Sequence, residues 1–111
     1  MILMPIVYVQ DMEASIVFYE RLGFAPKSRS EMWSELSAGD GAVLALHKAP
    51  QEHVGRVELA LVSEEPLERV AELVTTPFRG IADEAFGRSL VVQDPNGMKI
   101  QVNEHDRTFA A

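Results

Sequence analysis

Val7-Tyr8-Val9-Gln10-Asp11-Met12-Glu13-Ala14-Ser15-Ile16-Val17-Phe18-Tyr19-Glu20-Arg21-Leu22-Gly23-Phe24 is the stretch on which the fold turns. It opens inside an apolar, β-prone run, residues 4–9, that predicts a strand. Asp11 then stands where a helix N-cap belongs. Met12, Ile16, Tyr19 and Gly23 recur at helical spacing, and Gly23 is suited to the C-terminal end. One strand followed at once by one amphipathic helix is therefore the first unit.

Further strands follow on the C-terminal side. Residues 24–30 predict a weak polar strand. Residues 31–37 predict another, with Met32, Ser34 and Leu36 alternating against Trp33, Glu35 and Ser37. Gly39-Asp40-Gly41 is a hairpin signal, and residues 42–48 form the next strand. A turn-rich joint, residues 49–55, separates this half from the next. The order then repeats: a strand at 56–62, a helix at 65–74 with Pro66 in its first turn and Thr76-Pro77 stopping it, a weak strand at 79–85, and a stronger one at 88–93. Asp94-Pro95-Asn96-Gly97 is a strong turn, residues 98–103 form the last strand, and His105 to Ala111 read as a tail.

The halves can be laid over one another. Met4-Pro5-Ile6-Val7 falls on Glu58-Leu59-Ala60-Leu61, and Asp11 on Glu65. Near the other end, Gly41-Ala42-Val43-Leu44-Ala45-Leu46 falls on Gly97-Met98-Lys99-Ile100-Gln101-Val102. The two registers differ by what one small loop insertion would produce. A repeat of this kind suggests duplication.

Bulk properties fit one α+β domain spanning 1–111, with a first module over 1–48 and a second over 56–104. The chain has 111 residues, 47% of them hydrophobic and 24% charged, which is globular rather than disordered composition. With no cysteine it can form no disulfide framework or thiolate metal site, and has no cysteine nucleophile. The net charge of −7 argues against nucleic acid, since nothing offsets phosphate repulsion, and suits either solubility or an acidic cleft for a cationic ligand. No apolar run approaches the ~20 residues of a membrane span, and the N-terminus lacks a basic leader pattern, so a cytoplasmic protein with no membrane partner is expected.

Two segments, Val7 to Phe24 and Asp94-Pro95-Asn96-Gly97-Met98-Lys99-Ile100-Gln101, resemble the vicinal oxygen chelate superfamily, which holds glyoxalase I, bleomycin-resistance proteins, fosfomycin-resistance enzymes and extradiol dioxygenases. The more specific signal is the Asp-x-x-x-Ser-x-x-Phe-Tyr-x-x-Leu-Gly-Phe pattern that starts at Asp11. The resemblance implies paired βαβββ modules, curved into a cup-shaped mixed sheet with the ligand inside, and a homodimer. The motif residues themselves cap, pack and turn the chain, so they report fold more than chemistry.

The resemblance also implies where a divalent metal would sit: on the first and last strands of each module. Those positions carry Met4, Ala45, Glu58 and Gln101. A thioether is a poor ligand for a hard or borderline cation, and a methyl group is none. Glu58 and Gln101 remain, with His47 two residues beyond Ala45 on the same strand face. If any metal binds, these three would hold it, but the set is weak, and no cofactor is expected. Without a metal the Lewis-acid chemistry of the superfamily's enzymes is lost. What then comes forward is the bleomycin-resistance mode: binding and sequestering a drug or metabolite without chemistry. The alternative is a divalent-metal-dependent glyoxalase-like lyase or isomerase, or a dioxygenase, with a non-standard ligand set. A third is an interaction module with no ligand.

Strand parity selects the candidate ligand contacts: Tyr8, Trp33, Glu35, His47, Glu58 and Gln101. Met4 reads as core. Glu58 is the sharpest candidate, because a carboxylate inside an apolar strand is costly unless paired, hydrated or functional. His53 and His105 read as bystanders.

Overall fold

The computed structural model describes residues 1–37, 39–74, 77–84 and 87–105. It divides into two compact units, Leu3–Leu59 and Ala60–Ala111 with Met1–Ile2.

In the first unit, β2 (Ile6–Val9) leads into α1 (Met12–Arg21). Asp11 has extended backbone and its carboxylate accepts the Ala14 N–H at 3.0 Å, which satisfies one amide the helix cannot. At the other end Gly23 takes φ +102°, the left-handed turn that lets the chain leave the helix. β3 (Ala25–Ser28), β4 (Trp33–Ser37) and β5 (Val43–Lys48) follow, then a single 3-10 turn over Gln51–His53 and the two-residue β6 (Val57–Glu58). They form one mixed sheet in the order β3-β4-β5-β2-β6, with β2 parallel to β5 and the other pairs antiparallel. One face packs on α1: Val9, Met12, Ile16, Leu36 and Leu46 form the buried cluster, flanked by Val7, Tyr19, Phe24 and Leu44. The helical stripe and the even-numbered residues of β4 predict that face.

The second unit repeats the plan. β7 (Ala60–Val62), α2 (Leu67–Leu73), β8 (Pro77–Glu84), β9 (Gly87–Gln93) and β10 (Lys99–His105) follow in order, and β1 (Ile2–Leu3) completes the sheet as β1-β7-β10-β9-β8. Leu67, Val70, Leu90 and Val102 form its core, with Leu61, Ala71 and Val92 against them. Asp94 builds the turn before β10: its Oδ1 accepts the N–H groups of Asn96 and Met98, and Gly97 supplies φ +90°.

The pairing registers carry the duplication. Ile6 lies opposite Ala45 in the first sheet and Ala60 opposite Gln101 in the second, both across parallel strands. These are the residues that the sequence overlay matches. The α+β class and the strand-helix-strand-strand-strand order of each module stand as expected, expressed as two five-stranded mixed sheets.

Four expectations are corrected. Residues 56–62 are two strands, not one: Glu58 pairs antiparallel with Ile6 in the first sheet, whereas Ala60 pairs parallel with Gln101 in the second. The apolar run has no turn residue to mark the break, which comes from the change of partner strand at Leu59. The N-terminal strand expected over residues 4–9 begins only at Ile6, and a separate strand, β1, not expected from the sequence, precedes it and joins the second sheet. So each sheet takes a two-residue edge strand from the other half of the sequence. The second helix starts at Leu67, with Pro66 as the residue before it. His105 belongs to β10, paired with Gly87, rather than to a tail. Ala38, Thr76, Ala85 and residues 106–111 lie outside the described residues.

Candidate ligand-binding site

The first sheet's other face, away from α1, gathers five of the six candidate residues. Cross-strand neighbours on the same side of a sheet stand about 4.5–5.5 Å apart, so register places side chains directly. Trp33 of β4 is opposite His47 of β5, and His47 is opposite Tyr8 of β2. One row therefore reads Trp33–His47–Tyr8. The next reads Glu35–Ala45–Ile6–Glu58. Ile6 and Ala45 are buried; Tyr8, Trp33, Glu35 and His47 are half-buried; Glu58 is exposed.

The rings are in contact. Tyr8 and His47 have centroids 5.2 Å apart at 32°, and Trp33 meets His47 edge-on at 5.9 Å and 88°. The Nδ1 atom of His47 lies 2.7 Å from the Lys48 carbonyl. A carbonyl only accepts, so Nδ1 carries a proton and is the donor of this bond.

Each carboxylate of the second row has an aromatic donor beside it. The Trp33 indole N–H donates to Glu35 Oε2 at 2.9 Å. The Tyr8 hydroxyl lies near enough to Glu58 for that carboxylate to act on it as an acceptor and as a charge. Burial above all, then Glu58 in those two ways, push the Tyr8 phenol up to about 12; Arg56 acts in the opposite sense and is outweighed. Glu58 is thus a hydrated edge residue beside Tyr8, not a carboxylate stranded in mid-strand.

Gln101 is elsewhere. It lies in the second unit, on β10 between Ala60 and Val91, and its amide N–H donates to Asn103 Oδ1 at 2.9 Å. Asn103 is buried. The sequence places Glu58 beside Ala60 and Val62, but the break at Leu59 moves it to the sheet of Tyr8 and His47. Glu58, Gln101 and His47 are therefore divided between the two units.

The sequence reading missed a second polar chain, on the face of the second sheet turned away from α2. Arg79 Nη2 donates to Ser89 Oγ at 2.7 Å, and Ser89 donates to Glu84 at 2.8 Å. Ser89 is fully buried. A serine set among Leu90, Val91 and Val92 is the one signal that marks it.

A family model described as the glyoxalase/bleomycin resistance protein/dioxygenase superfamily matches residues 2–102. The chain belongs to that superfamily. No curated protein matches it. Among solved structures it is similar to one titled an NAD-dependent benzaldehyde dehydrogenase from Legionella pneumophila, at TM-score 0.70 and 18% identity over 94% of this chain and 99% of that one. A superfamily member from Vibrio splendidus 12B01 matches at TM-score 0.64 and 19% identity, over 92% and 97% of the two chains. At such identities the likeness is one of fold.

Superfamily membership raises the question of a metal, and the donor chemistry answers poorly. Of the positions where members bind one, Met4 and Ala45 are both fully buried and offer a thioether and a methyl group. Glu58 is engaged by Tyr8 and Gln101 by Asn103. Among the described residues no three His, Asp or Glu side chains gather as a metal site would need. The residues at the superfamily's metal positions do not fit the group.

Proposed function

We propose that this superfamily member is a metal-independent small-molecule binding protein, which takes its ligand beside the Trp33–His47–Tyr8 row of the first sheet and sequesters it. One observation supports this above the others. Trp33, His47 and Tyr8 form a continuous row of rings with Glu35 and Glu58 alongside, on the face that α1 does not cover. Half-buried aromatic side chains with a few fixed polar groups are what small-molecule sites are made of. The loss of donor side chains at positions 4 and 45 favours binding over metal-dependent turnover.

We further propose that the protein is a cytoplasmic homodimer. A 111-residue domain has a modest core, and Val17, Phe18 and Leu22 stand 43%, 56% and 63% exposed along α1. Among the described residues no helix is long and apolar enough to cross a membrane.

The binding reading is tested through Trp33, the sole tryptophan. A panel of drug-like and metabolite-like aromatics is titrated against the purified protein with and without a chelator. Quenching of Trp33 emission that saturates and is unchanged by chelation is the expected result. Metal-dependent turnover of a glyoxalase-type or dioxygenase-type substrate, abolished by chelation and by Glu58→Ala, would overturn it.

A further inference from the structure

We infer that Asn96 is a site of spontaneous deamidation that folding holds shut: the turn from Asp94 to Met98 keeps the side chain an amide, and each opening of the turn exposes it to irreversible conversion. The inference is independent of the binding reading above.

The sequence supplies the reactivity. An asparagine followed by glycine readily closes a five-membered ring, because glycine has no side chain to hinder the approach of its nitrogen and its backbone turns freely. Asn96-Gly97 is the one Asn-Gly pair in the chain. In the reaction the Gly97 nitrogen gives up its proton to solvent base and attacks Cγ of Asn96. The N–Cγ bond forms, the Cγ–Nδ2 bond breaks, and Nδ2 takes a proton from water and leaves as ammonia. Water then opens the succinimide at either carbonyl, giving aspartate or isoaspartate. Water is the only co-reactant. Asn96 is exposed, so water enters and ammonia departs without hindrance.

The structure supplies the lock. The Gly97 N–H donates to the Asp94 carbonyl at 3.0 Å, so the attacking nitrogen is engaged and its proton held. The peptide units around it are pinned as well. Asp94 Oδ1 accepts the Asn96 and Met98 N–H groups at 2.8 and 2.9 Å, the Asp94 N–H donates to the Met98 carbonyl at 2.9 Å, and the Gln93 side-chain amide donates to the Gly97 carbonyl at 3.0 Å. Ring closure must swing the Asn96–Gly97 peptide to bring its nitrogen onto Cγ, which breaks the Gly97 bond and disturbs its neighbours. Cyclisation therefore waits on local opening of the turn. The step is also one-way. Isoaspartate routes the main chain through the side-chain carbon and so lengthens the link between β9 and β10, where Lys99 must come round opposite Gln93. The isoaspartate content of a sample thus records the time this turn has spent open.

The test incubates the full chain at mildly alkaline pH, folded in buffer and unfolded in guanidinium chloride, and follows conversion at Asn96 by peptide mapping. Conversion in the folded chain is expected to be at least about tenfold slower than in the unfolded one, with slow hydrogen exchange at the Gly97 amide alongside it. A smaller difference overturns the inference, and so does a Gly97 amide that exchanges at its unfolded rate. Asp94→Ala keeps the backbone carbonyl but removes the Oδ1 acceptor of two amides. It is expected to speed conversion in buffer by at least about threefold, with no change in guanidinium chloride, and Asp94→Asn, which retains an oxygen acceptor, to stay near the parent. A folded Asp94→Ala variant that converts no faster than the parent overturns the assignment of the lock to this turn. The comparison of folded with unfolded chain is made on the unaltered protein, so it decides the matter even where a variant fails to fold.

Discussion

Trp33 donates its indole N–H to Glu35 two residues along the same strand, at 2.9 Å, so ring and carboxylate are fixed as one unit on the face of β4 that α1 does not cover. Glu35→Ala removes the acceptor and leaves a half-buried N–H to find water. The expected cost is about 1 kcal/mol in urea unfolding, at the low end for a charged acceptor because the site is partly hydrated. Trp33 emission should shift as its N–H becomes hydrated. Glu35→Gln retains an acceptor and should leave both unfolding and emission near those of the parent. An unshifted spectrum in Glu35→Ala would show that the indole is not held by this carboxylate.

The Tyr8–Glu58 pair predicts an alkaline titration. The protein has two tyrosines, so a Tyr19→Phe background isolates Tyr8 by its phenolate absorbance. Tyr8 should ionise at about 12, against an ordinary 10.0. The sign follows from linkage: a phenol whose folded value is raised stabilises the fold below the ordinary value, and that contribution is lost as pH rises from 10.0 through about 12. Glu58→Gln should lower the midpoint only in part, because burial is the larger cause and remains. An unchanged midpoint in Glu58→Gln would sever the pair.

Much of this was legible in the residues. Asp11 and Gly23 bracket α1 because capping and left-handed turns are local chemistry, set within one turn of chain. The overlay of the halves anticipates the Ile6–Ala45 and Ala60–Gln101 pairs because a duplicated fold preserves register even where side chains diverge. Period-two alternation placed Tyr8, Trp33, Glu35 and His47 on one face. What was not legible is which sheet a strand joins. Val57 to Val62 reads as one β-prone run, and nothing within it says that Glu58 pairs with Ile6 while Ala60 pairs with Gln101. Partner choice is a long-range property, and the site depends on it, since it separates Glu58 from Gln101 by unit. The Arg79–Ser89–Glu84 chain was missed for the same reason: β8 is weakly β-prone and its register on β9 shifts twice, so alternation alone does not align it.

The first core gives a contrast within one helix. Ile16 is fully buried against Leu36 and Leu46, while Phe18 on the far side of α1 is 56% exposed. Ile16→Ala removes packed methylene groups from a site that cannot collapse and should cost about 2–5 kcal/mol by denaturant unfolding. Phe18→Ala in the isolated subunit should change stability by no more than about 0.5 kcal/mol. If α1 mediates the homodimer, Phe18→Ala should instead weaken association, which sedimentation at decreasing concentration would register. Equal losses for the two variants in a monomer would contradict the burial pattern.

Acid should loosen the second unit first at α2. Arg88 grips Glu68 of the helix through two hydrogen bonds, at 2.6 and 2.9 Å, and Glu104 of β10 through others at 2.9 and 3.0 Å. Glu104 in turn accepts the Leu67 N–H at 2.8 Å, supplying the cap that Pro66 cannot. The hydrogen bonds from Arg88 hold the Glu68 carboxyl down at about 2, against an ordinary 4.5. A depressed carboxylate stabilises the fold above its ordinary value, and that contribution is lost as pH falls from 4.5 through about 2. Because Glu68 is a surface group the effect is modest and salt-sensitive. Arg88→Met should flatten this part of the stability–pH curve while leaving Glu104 to cap Leu67. Glu104→Ala should do more, exposing the first turn of α2 by removing both the cap and the second anchor of Arg88. Backbone amide exchange at Leu67 separates the two: it should stay protected in Arg88→Met and open in Glu104→Ala. Protection retained in both would mean that the helix start is held by its packing, with Leu67 and Val70 in the core, rather than by the carboxylate.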